Sequence, residues 1–234
     1  GFPQTKRNPQ KLKNLLKVKS QWMEILCPFC CPFYYNKSMS EFSTISALKK
    51  NIKACTICES DLPYAPNPVF SFSARSKILI VGQAPGTKVH ESGIPWNDAS
   101  GNRLREWMQV SKDQFYNTKY FSIVPMAFCY PGKGKSGDLP PRPECAEKWM
   151  QPILEKIPQR QLTLLIGQYA QGWFLKVRKK ATLTETVRNW KEYQPEYFVL
   201  PHPSPRNNIW LKKNPWFEKK TVPQLRKRVE QLIS

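Results

Sequence analysis

The chain has 234 residues and a formal net charge of +20 at pH 7, from 37 Lys and Arg against 17 Asp and Glu. Hydrophobic residues make up 40% of it, which is enough for a substantial core. No apolar run approaches the ~18–20 residues of a membrane helix, and no fixed repeat is present, so we expect neither a membrane-spanning protein nor a solenoid. A surface this basic attracts polyanions, and we expect nucleic acid to be the partner.

Residues 1–38 differ in composition from the rest of the chain. They carry a net charge of +6, which leaves +14 on residues 39–234, so the basic character belongs to the body of the protein. We predict a basic N-terminal extension over residues 1–38, either native or added to the protein, and one folded domain over residues 39–234. Cys27 and Cys30 have the CxxC spacing of metal ligands, but no matched second pair lies close by to complete a zinc site.

The N-terminal sequence lacks an apolar core followed by a small-residue cleavage site, the pattern of a secretory signal. We therefore expect a reducing, cytoplasmic compartment, with nucleoid association if the protein is bacterial. In a reducing compartment, clustered cysteines bind metal more often than they form disulfides.

From residue 39 onward, short apolar runs alternate with segments of helical spacing. Alternation of this kind predicts an α/β fold with a parallel sheet. Helical spacing occurs over residues 43–53, around 104–108, over 143–157, after 167 and over 215–233. The apolar runs are typical of strands buried on both faces, and they cover residues 77–82, 121–125, 162–167 and 197–200.

Two loops follow predicted strands at the edge where α/β folds bind ligands. In residues 82–86, two glycines and a proline permit a tight turn whose backbone N–H groups face an anion or a carbonyl oxygen. His202 lies between two prolines that stiffen its loop and fix the direction of the imidazole. Trp96 is either a ring that stacks on a planar base or a core residue. His90 has no such flanking prolines, and we predict that it is a surface residue.

These two loops resemble those of the uracil-DNA glycosylase superfamily. That superfamily has a Gly-x-x-Pro loop after its first core strand and a His-Pro-Ser loop after its last, and this chain continues as His-Pro-Ser-Pro-Arg-Asn from His202. The resemblance covers roughly residues 50–233. It implies a three-layer α/β/α fold with a central four-stranded parallel sheet. It also implies a monomeric DNA base-excision repair glycosylase that hydrolyses the N-glycosidic bond of uracil or another deaminated base.

Four cysteines narrow the resemblance. Cys55 and Cys58 form a CxxC pair, and Cys129 and Cys145 flank a proline-rich stretch. This arrangement resembles families four and five of the superfamily, whose four thiolates hold a [4Fe–4S] cluster. Tetrahedral zinc is the alternative that four cysteines also satisfy. In the resemblance, the cluster organises the surrounding loops and takes no part in catalysis.

The resemblance also assigns roles in a base pocket. His202 matches the histidine that stabilises O2 of the leaving base, and Trp96 replaces the phenylalanine that stacks on the base. Asp98 has two open interpretations: it places the attacking water, or it caps the helix that follows. Gln83 replaces a glutamate of family four, and Ala84 replaces the water-positioning aspartate of the best-known family. The residues predicted to bind the base are Gly82, Gln83, Ala84, Pro85, Gly86 and Trp96.

One departure puts uracil selectivity in doubt. Family four has an asparagine four residues before its third cysteine, where it reads the edge of uracil, and Pro125 stands there in this chain. Because proline offers no side-chain hydrogen bond, xanthine or hypoxanthine becomes a candidate base. On the DNA side, we expect Arg206 to enter the duplex as a wedge or to grip phosphate, and residues 132–137 to form a flexible basic loop. The predicted DNA-binding residues are Ser204, Arg206, Asn207, Lys133 and Lys135.

Two other classes of function stay open on the sequence. Ala84 and Pro125 are consistent with a member that is catalytically weak or inactive and that binds nucleic acid or traps a base. A hydrolase that processes RNA or nucleotides on the same scaffold is the other alternative.

Overall fold

The computed structural model describes residues 42–135 and 137–234. Four parallel strands form its central sheet in the order β2 (Phe121–Ile123), β1 (Ile78–Val81), β5 (Leu162–Ile166) and β6 (Tyr197–Leu200). Ile78 lies between Phe121 and Leu162 in register, and Thr163 pairs with Tyr197. The predicted α/β fold with a four-stranded parallel sheet is confirmed. The strands are β1 (Ile78–Val81), β2 (Phe121–Ile123), β3 (Lys133–Gly134), β4 (Gly137–Asp138), β5 (Leu162–Ile166) and β6 (Tyr197–Leu200).

Helices connect the strands and cover both faces of the sheet. Short 3₁₀ turns follow several of them, and a π-helical turn over Phe217–Thr221 leads directly into the last helix. In the described ranges the α-helices are α1 (Ile45–Lys53), α2 (Thr87–Ser92), α3 (Ala99–Met108), α4 (Lys112–Tyr116), α5 (Pro143–Glu155), α6 (Gly167–Leu175), α7 (Leu183–Arg188), α8 (Asn208–Lys213) and α9 (Val222–Ile233).

Alternate residues of β1 point into two separate hydrophobic clusters. Ile78 and Ile80 pack with α3, α4 and α9, whereas Leu79 and Val81 pack with α1, α5 and α6. The sheet is therefore the middle of three layers, with a core on each face. Burial on both faces explains why the strands are continuous apolar runs in the sequence rather than alternating ones.

Residues 133–134 and 137–138 pair as strands, in the part of the sequence that was predicted to form a flexible basic loop. β3 and β4 pair as an antiparallel hairpin, and the N–H of Leu139 donates to the carbonyl of Gly132 at 2.8 Å. Gly132 has a φ of 103° and Gly137 a φ of 148°, conformations that side chains rarely adopt. The small residues thus serve the turn geometry of a hairpin.

Within the described ranges, no helix combines the length and the apolar character needed to cross a bilayer. The predicted extension over residues 1–38, including Cys27 and Cys30, lies outside the described residues.

Candidate functional site

A pocket of about 620 Å³ lies at the carboxyl edge of the sheet. Its walls come from the segments that follow β1, β2, β5 and β6, as the topology of a parallel sheet requires. The volume falls within the range of about 300–1,000 Å³ that is typical of ligand sites. The structure brings together both predicted catalytic residues and all six predicted base-binding residues, which are His202, Asp98, Gly82, Gln83, Ala84, Pro85, Gly86 and Trp96.

The loop after β1 presents unpaired backbone donors to this pocket. The carbonyls of Gly82 and Gln83 accept hydrogen bonds from the N–H groups of Met126 and Ala127 at 3.0 and 3.1 Å, which fix the loop against the segment after β2. The N–H groups of Gln83 and Ala84 have no hydrogen-bond partner within the described part of the chain. They are therefore available to an acceptor on a bound molecule.

His202 is held as a neutral imidazole. The backbone N–H of Ser204 donates to its Nδ1 at 3.2 Å, so the ring proton belongs on Nε2. Burial lowers the pKa of His202 to about 4, and the opposing influence of the nearby Asp98 carboxylate is smaller. At neutral pH the imidazole thus offers an uncharged Nε2–H donor in the pocket.

The loop that carries His202 is tied down at three carbonyls. Asn207 donates its side-chain amide to the carbonyl of His202 at 2.7 Å. Arg103 of α3 donates to the carbonyls of Pro203 and Ser204 at 3.3 and 3.2 Å. Sequence analysis missed Arg103, because it lies 101 residues from Ser204 and no local motif marks it. It is a positioning residue for the histidine loop.

Trp96 is both a pocket residue and part of the packing around one core. Its indole stacks on the His202 imidazole with ring centroids 5.5 Å apart, and it also packs against the cluster that contains α3 and α9. Its φ of 59° is left-handed. A Cβ on Gly82 would stand 2.8 Å from Cζ2 of the indole, and one on Gly101 would overlap the carbonyl oxygen of Trp96. Two glycines therefore make the space for this tryptophan.

We expect Gly101→Ala to lower the free energy of unfolding by about 1–3 kcal/mol, because the added methyl group displaces the backbone at Trp96. Gly172→Ala is the matched control: it lies within α6 with open space around it, and it gains about 0.5–1 kcal/mol from helix propensity. Urea denaturation of both variants measures the difference. A Gly101→Ala protein as stable as the wild type would show that the Trp96 backbone is not fixed.

Asp98 caps helix α3, so the capping interpretation is confirmed. Its Oδ1 accepts a hydrogen bond from the N–H of Gly101 at 2.8 Å. Its Oδ2 has no hydrogen-bond partner among the described residues, and the carboxylate lines the pocket. One carboxylate oxygen is therefore still free to orient a water molecule.

Residues 70–226 match a family described as the Uracil DNA glycosylase superfamily. The match covers about two thirds of the chain and includes the four sheet strands and both pocket loops. The chain belongs to the uracil-DNA glycosylase superfamily. Members of this superfamily act on DNA and are typically glycosylases that remove bases, which agrees with a pocket built from the loops after β1 and β6.

Two departures from the superfamily patterns lie in the pocket wall. Pro125 lines the pocket and provides no side-chain hydrogen bond. Ala84 lines it as well, without a carboxylate. Sequence analysis missed two polar residues of the same wall, Gln168 and Asp138. Gln168 comes two residues after β5, a position that the strand-end rule marks. Asp138 belongs to β4 of the hairpin and lies just beyond the predicted loop of residues 132–137.

The predicted DNA-binding residues divide into two groups. Arg206 is exposed, and its guanidinium lies against Gly137 of the hairpin, where a Cβ would overlap it. The hairpin also contributes to the pocket wall through Gly137. Ser204, Arg206 and Asn207 line the pocket, whereas Lys133 and Lys135 are exposed on the hairpin and do not line it.

The four cysteines predicted as ligands line a second pocket. None forms a disulfide, all are half-buried, and the neighbouring walls are mostly apolar. Their sulfur atoms are not arranged as a closed ligand set, because no three His, Cys, Asp or Glu side chains in the described ranges form a metal-binding group. The family match begins at residue 70, so it does not include the CxxC pair Cys55 and Cys58. The four are Cys55, Cys58, Cys129 and Cys145.

Two influences of opposite sign act on these thiols: burial favours the protonated form, and backbone N–H donors favour the thiolate. Burial, with smaller contributions from the neighbouring cysteines, raises the pKa of Cys129 to about 11 and that of Cys145 to about 12. Backbone N–H groups point at both sulfurs: that of Phe128 donates to Cys145 at 3.4 Å, and that of Asn67 donates to Cys129. Such N–H donors stabilise thiolate sulfur, so the polar contacts at Cys129 and Cys145 are compatible with metal ligation, although the four sulfur atoms do not form a closed ligand set.

Proposed function

We propose that the protein is a DNA glycosylase that hydrolyses the N-glycosidic bond of a deaminated base. The observation that carries the proposal is the neutral His202 imidazole, whose Nε2–H donor shares a pocket with the Trp96 indole. An uncharged, fixed donor stabilises negative charge that develops on a carbonyl oxygen without losing a proton itself. That is the requirement for the departure of a pyrimidine or oxopurine base.

Hydrolysis breaks the bond between the sugar C1′ and the base nitrogen. The bonding electron pair leaves with the base, which becomes an anion, while the sugar becomes oxocarbenium-like and then takes up water, which loses a proton. The released proton neutralises the base anion, so the products are the free base and an abasic sugar. In our proposal, the Nε2–H of His202 and the free N–H groups of Gln83 and Ala84 bind the oxygen on which the negative charge accumulates. The target base first leaves the duplex stack, and Trp96 stacks on it.

Asp98 is our candidate for placing the water. Its Oδ1 is occupied by the helix cap, but its Oδ2 is unpaired in the described structure, and the carboxylate lines the pocket in which the proposed reaction takes place. Ala84 provides no competing carboxylate.

Asp98→Asn separates the two roles of this residue. Asparagine caps a helix as well as aspartate does, so we expect the free energy of unfolding to stay within about 0.5 kcal/mol of the wild type. We expect the rate of base release to fall about 10²–10⁴-fold, since an amide does not accept the proton of water. Single-turnover release and urea denaturation measure the two effects. An unchanged rate would assign Asp98 to helix capping alone.

The preferred base is a deaminated purine or uracil. The side chain of Pro125 has no hydrogen-bonding group with which to recognise the edge of uracil. This supports xanthine and hypoxanthine as substrates. Gln168 adds an amide, whose side chain has no hydrogen-bond partner in the described ranges, to the same wall.

Base release from defined oligonucleotides tests the proposal. Oligonucleotides carrying a single uracil, xanthine or hypoxanthine are incubated with the protein and then cleaved with alkali at abasic sites. Release of any one base, above a control without protein, supports the proposal and names the substrate. Release of none, by protein that binds the same duplexes, would overturn it and favour a DNA-binding member without excision activity, consistent with Ala84.

We further propose that the four cysteines hold a metal group, a [4Fe–4S] cluster or zinc. Cys55 and Cys58 follow α1, Cys129 lies between β2 and the hairpin, and Cys145 lies in the first turn of α5. A bound group would supply structural cross-links among these segments and no reaction step. The N–H donors to Cys129 and Cys145 support thiolates at this position.

Metal analysis separates the alternatives. We expect anaerobically purified protein to contain about four iron and four sulfide per chain, or one zinc per chain if the tetrahedral alternative holds. Cys145→Ala should lose this metal and unfold at lower denaturant, because the binding free energy of a structural metal contributes to folding. Metal-free protein that unfolds like the variant would contradict the proposal.

A further inference from the structure

Tyr64 is an exposed aromatic ring with a rigid backing. It is 56% exposed, yet it stacks on His90 with ring centroids 5.3 Å apart and on Tyr130 at 6.2 Å, with interplanar angles of 28° and 21°. Tyr130 is buried and His90 is half-buried. We call these three residues the aromatic platform. The sequence predicted a surface residue at His90, and the structure shows it half-buried under the ring of Tyr64.

The backing of the platform is fixed by the backbone and by ring contacts. The carbonyl of His90 accepts from the side-chain amide of Asn67 at 2.7 Å, and its N–H donates to the carbonyl of Gly86 at 2.9 Å. Its Nδ1 is buried without a hydrogen-bond partner in the described chain, so ring packing rather than a polar partner holds the imidazole. Tyr64 therefore stacks on rings whose own positions are set by packing and by the backbone of α2.

The platform lies beside the glycosylase pocket. Gly86 lines the pocket and is one helical turn from His90 along α2. On the other side, Pro63 lies against Gly132, where a Cβ would stand 3.3 Å from its Cγ. Gly132 leads into the hairpin whose Gly137 also lines the pocket. The platform is therefore joined through Gly86 to the pocket wall, and through Pro63 and Gly132 to the segment that leads into Lys133.

We propose that the aromatic platform stacks on an unpaired base of the DNA strand that enters the pocket. An exposed aromatic face beside cationic side chains is how proteins hold single strands, because every base has a flat face and every phosphate a charge. Lys133 and Lys135 supply the cations, and residues 39–234 carry a net charge of +14. That the bound strand is DNA rests on the proposed function, whereas the exposed stacking surface follows from the structure alone.

Tyr64→Ala and Tyr64→Phe test the platform by fluorescence anisotropy. The probes are a labelled 12-nucleotide single strand and the matching blunt duplex, both without any modified base. We expect Tyr64→Ala to weaken single-strand binding about 5- to 150-fold, the equivalent of about 1–3 kcal/mol of stacking. Tyr64→Phe keeps the ring and should bind within about twofold of the wild type. Duplex binding should change less than single-strand binding in both variants.

Trp173→Ala is the matched control, an exposed aromatic residue of α6 that is 38% exposed and does not line the pocket. Unchanged single-strand affinity in Tyr64→Ala, or an equal loss for single strand and duplex, would overturn the inference. Its outcome is distinguishable from that of the proposed function, because the anisotropy probes need no excision. If no base is released but Tyr64→Ala still weakens single-strand binding, the proposed function fails and the platform stands.

Discussion

His202→Ala should lower the rate of base release by about 10²–10³-fold, the effect of removing one fixed donor from an oxyanion site. In the segment after β6, the imidazole accepts a hydrogen bond at Nδ1, so it carries its proton on Nε2 and remains available as a neutral donor. The loss should appear in the chemical step and not in DNA binding, because the phosphate contacts are untouched. Single-turnover release from a saturated duplex separates the two.

The control for this variant is Val177→Ala, at a side chain that is 99% exposed and does not line the pocket. It should release base at the wild-type rate. Retention of full activity by a folded His202→Ala protein would contradict the assignment of the donor, and the two backbone N–H groups of Gln83 and Ala84 would then have to account for the stabilisation of the leaving base.

Trp96→Ala should lower kcat/KM for base release about 5- to 150-fold, since stacking of a flipped base on an aromatic ring contributes about 1–3 kcal/mol. The same change also removes the ring that packs on His202. Trp96→Phe restores a stacking surface in the smaller form that resembles the superfamily, and we expect it to recover most of the lost activity.

A reporter base separates stacking from chemistry in these variants. With 2-aminopurine beside the target, fluorescence reports flipping without bond cleavage, and Trp96→Ala should shift the flipping equilibrium back toward the stacked duplex. Trp96→Ala protein that flips and excises as well as the wild type would place the tryptophan in the core packing alone, which was the alternative interpretation of its sequence position.

The sheet was predictable because strands that are buried on both faces appear in the sequence as continuous apolar runs. β6 matches its predicted run of 197–200 at both ends, and the three other sheet strands are shorter than their runs by one or two residues. The pocket followed from the same logic, since loops after parallel strands meet at one edge. Helices α2, α4 and α7 have only five or six residues, too few for a period of 3.6 to show.

Contacts between distant segments were not predictable. Arg103 binds the His202 loop from a different element, and the space for Trp96 depends on Gly82 and Gly101, which lie on either side of it in the chain. The predicted helix over 215–233 is interrupted by a π-helical turn at Phe217–Thr221, where the side chains still follow a helical period. His90 gave no local signal of its burial, because the rings that cover it come from residues 64 and 130.

The protonation state of His202 tests the account most directly. The chain has two histidines, so long-range ¹H–¹⁵N spectra of the imidazoles can be assigned with one His90→Gln variant. An imidazole whose pKa is lowered to about 4 stays neutral as the pH falls from 7 to 5, while an ordinary histidine takes up its proton near pH 6.5. We predict that His202 keeps its proton on Nε2 throughout this range. A proton on Nδ1, or an imidazolium at pH 6, would contradict the account.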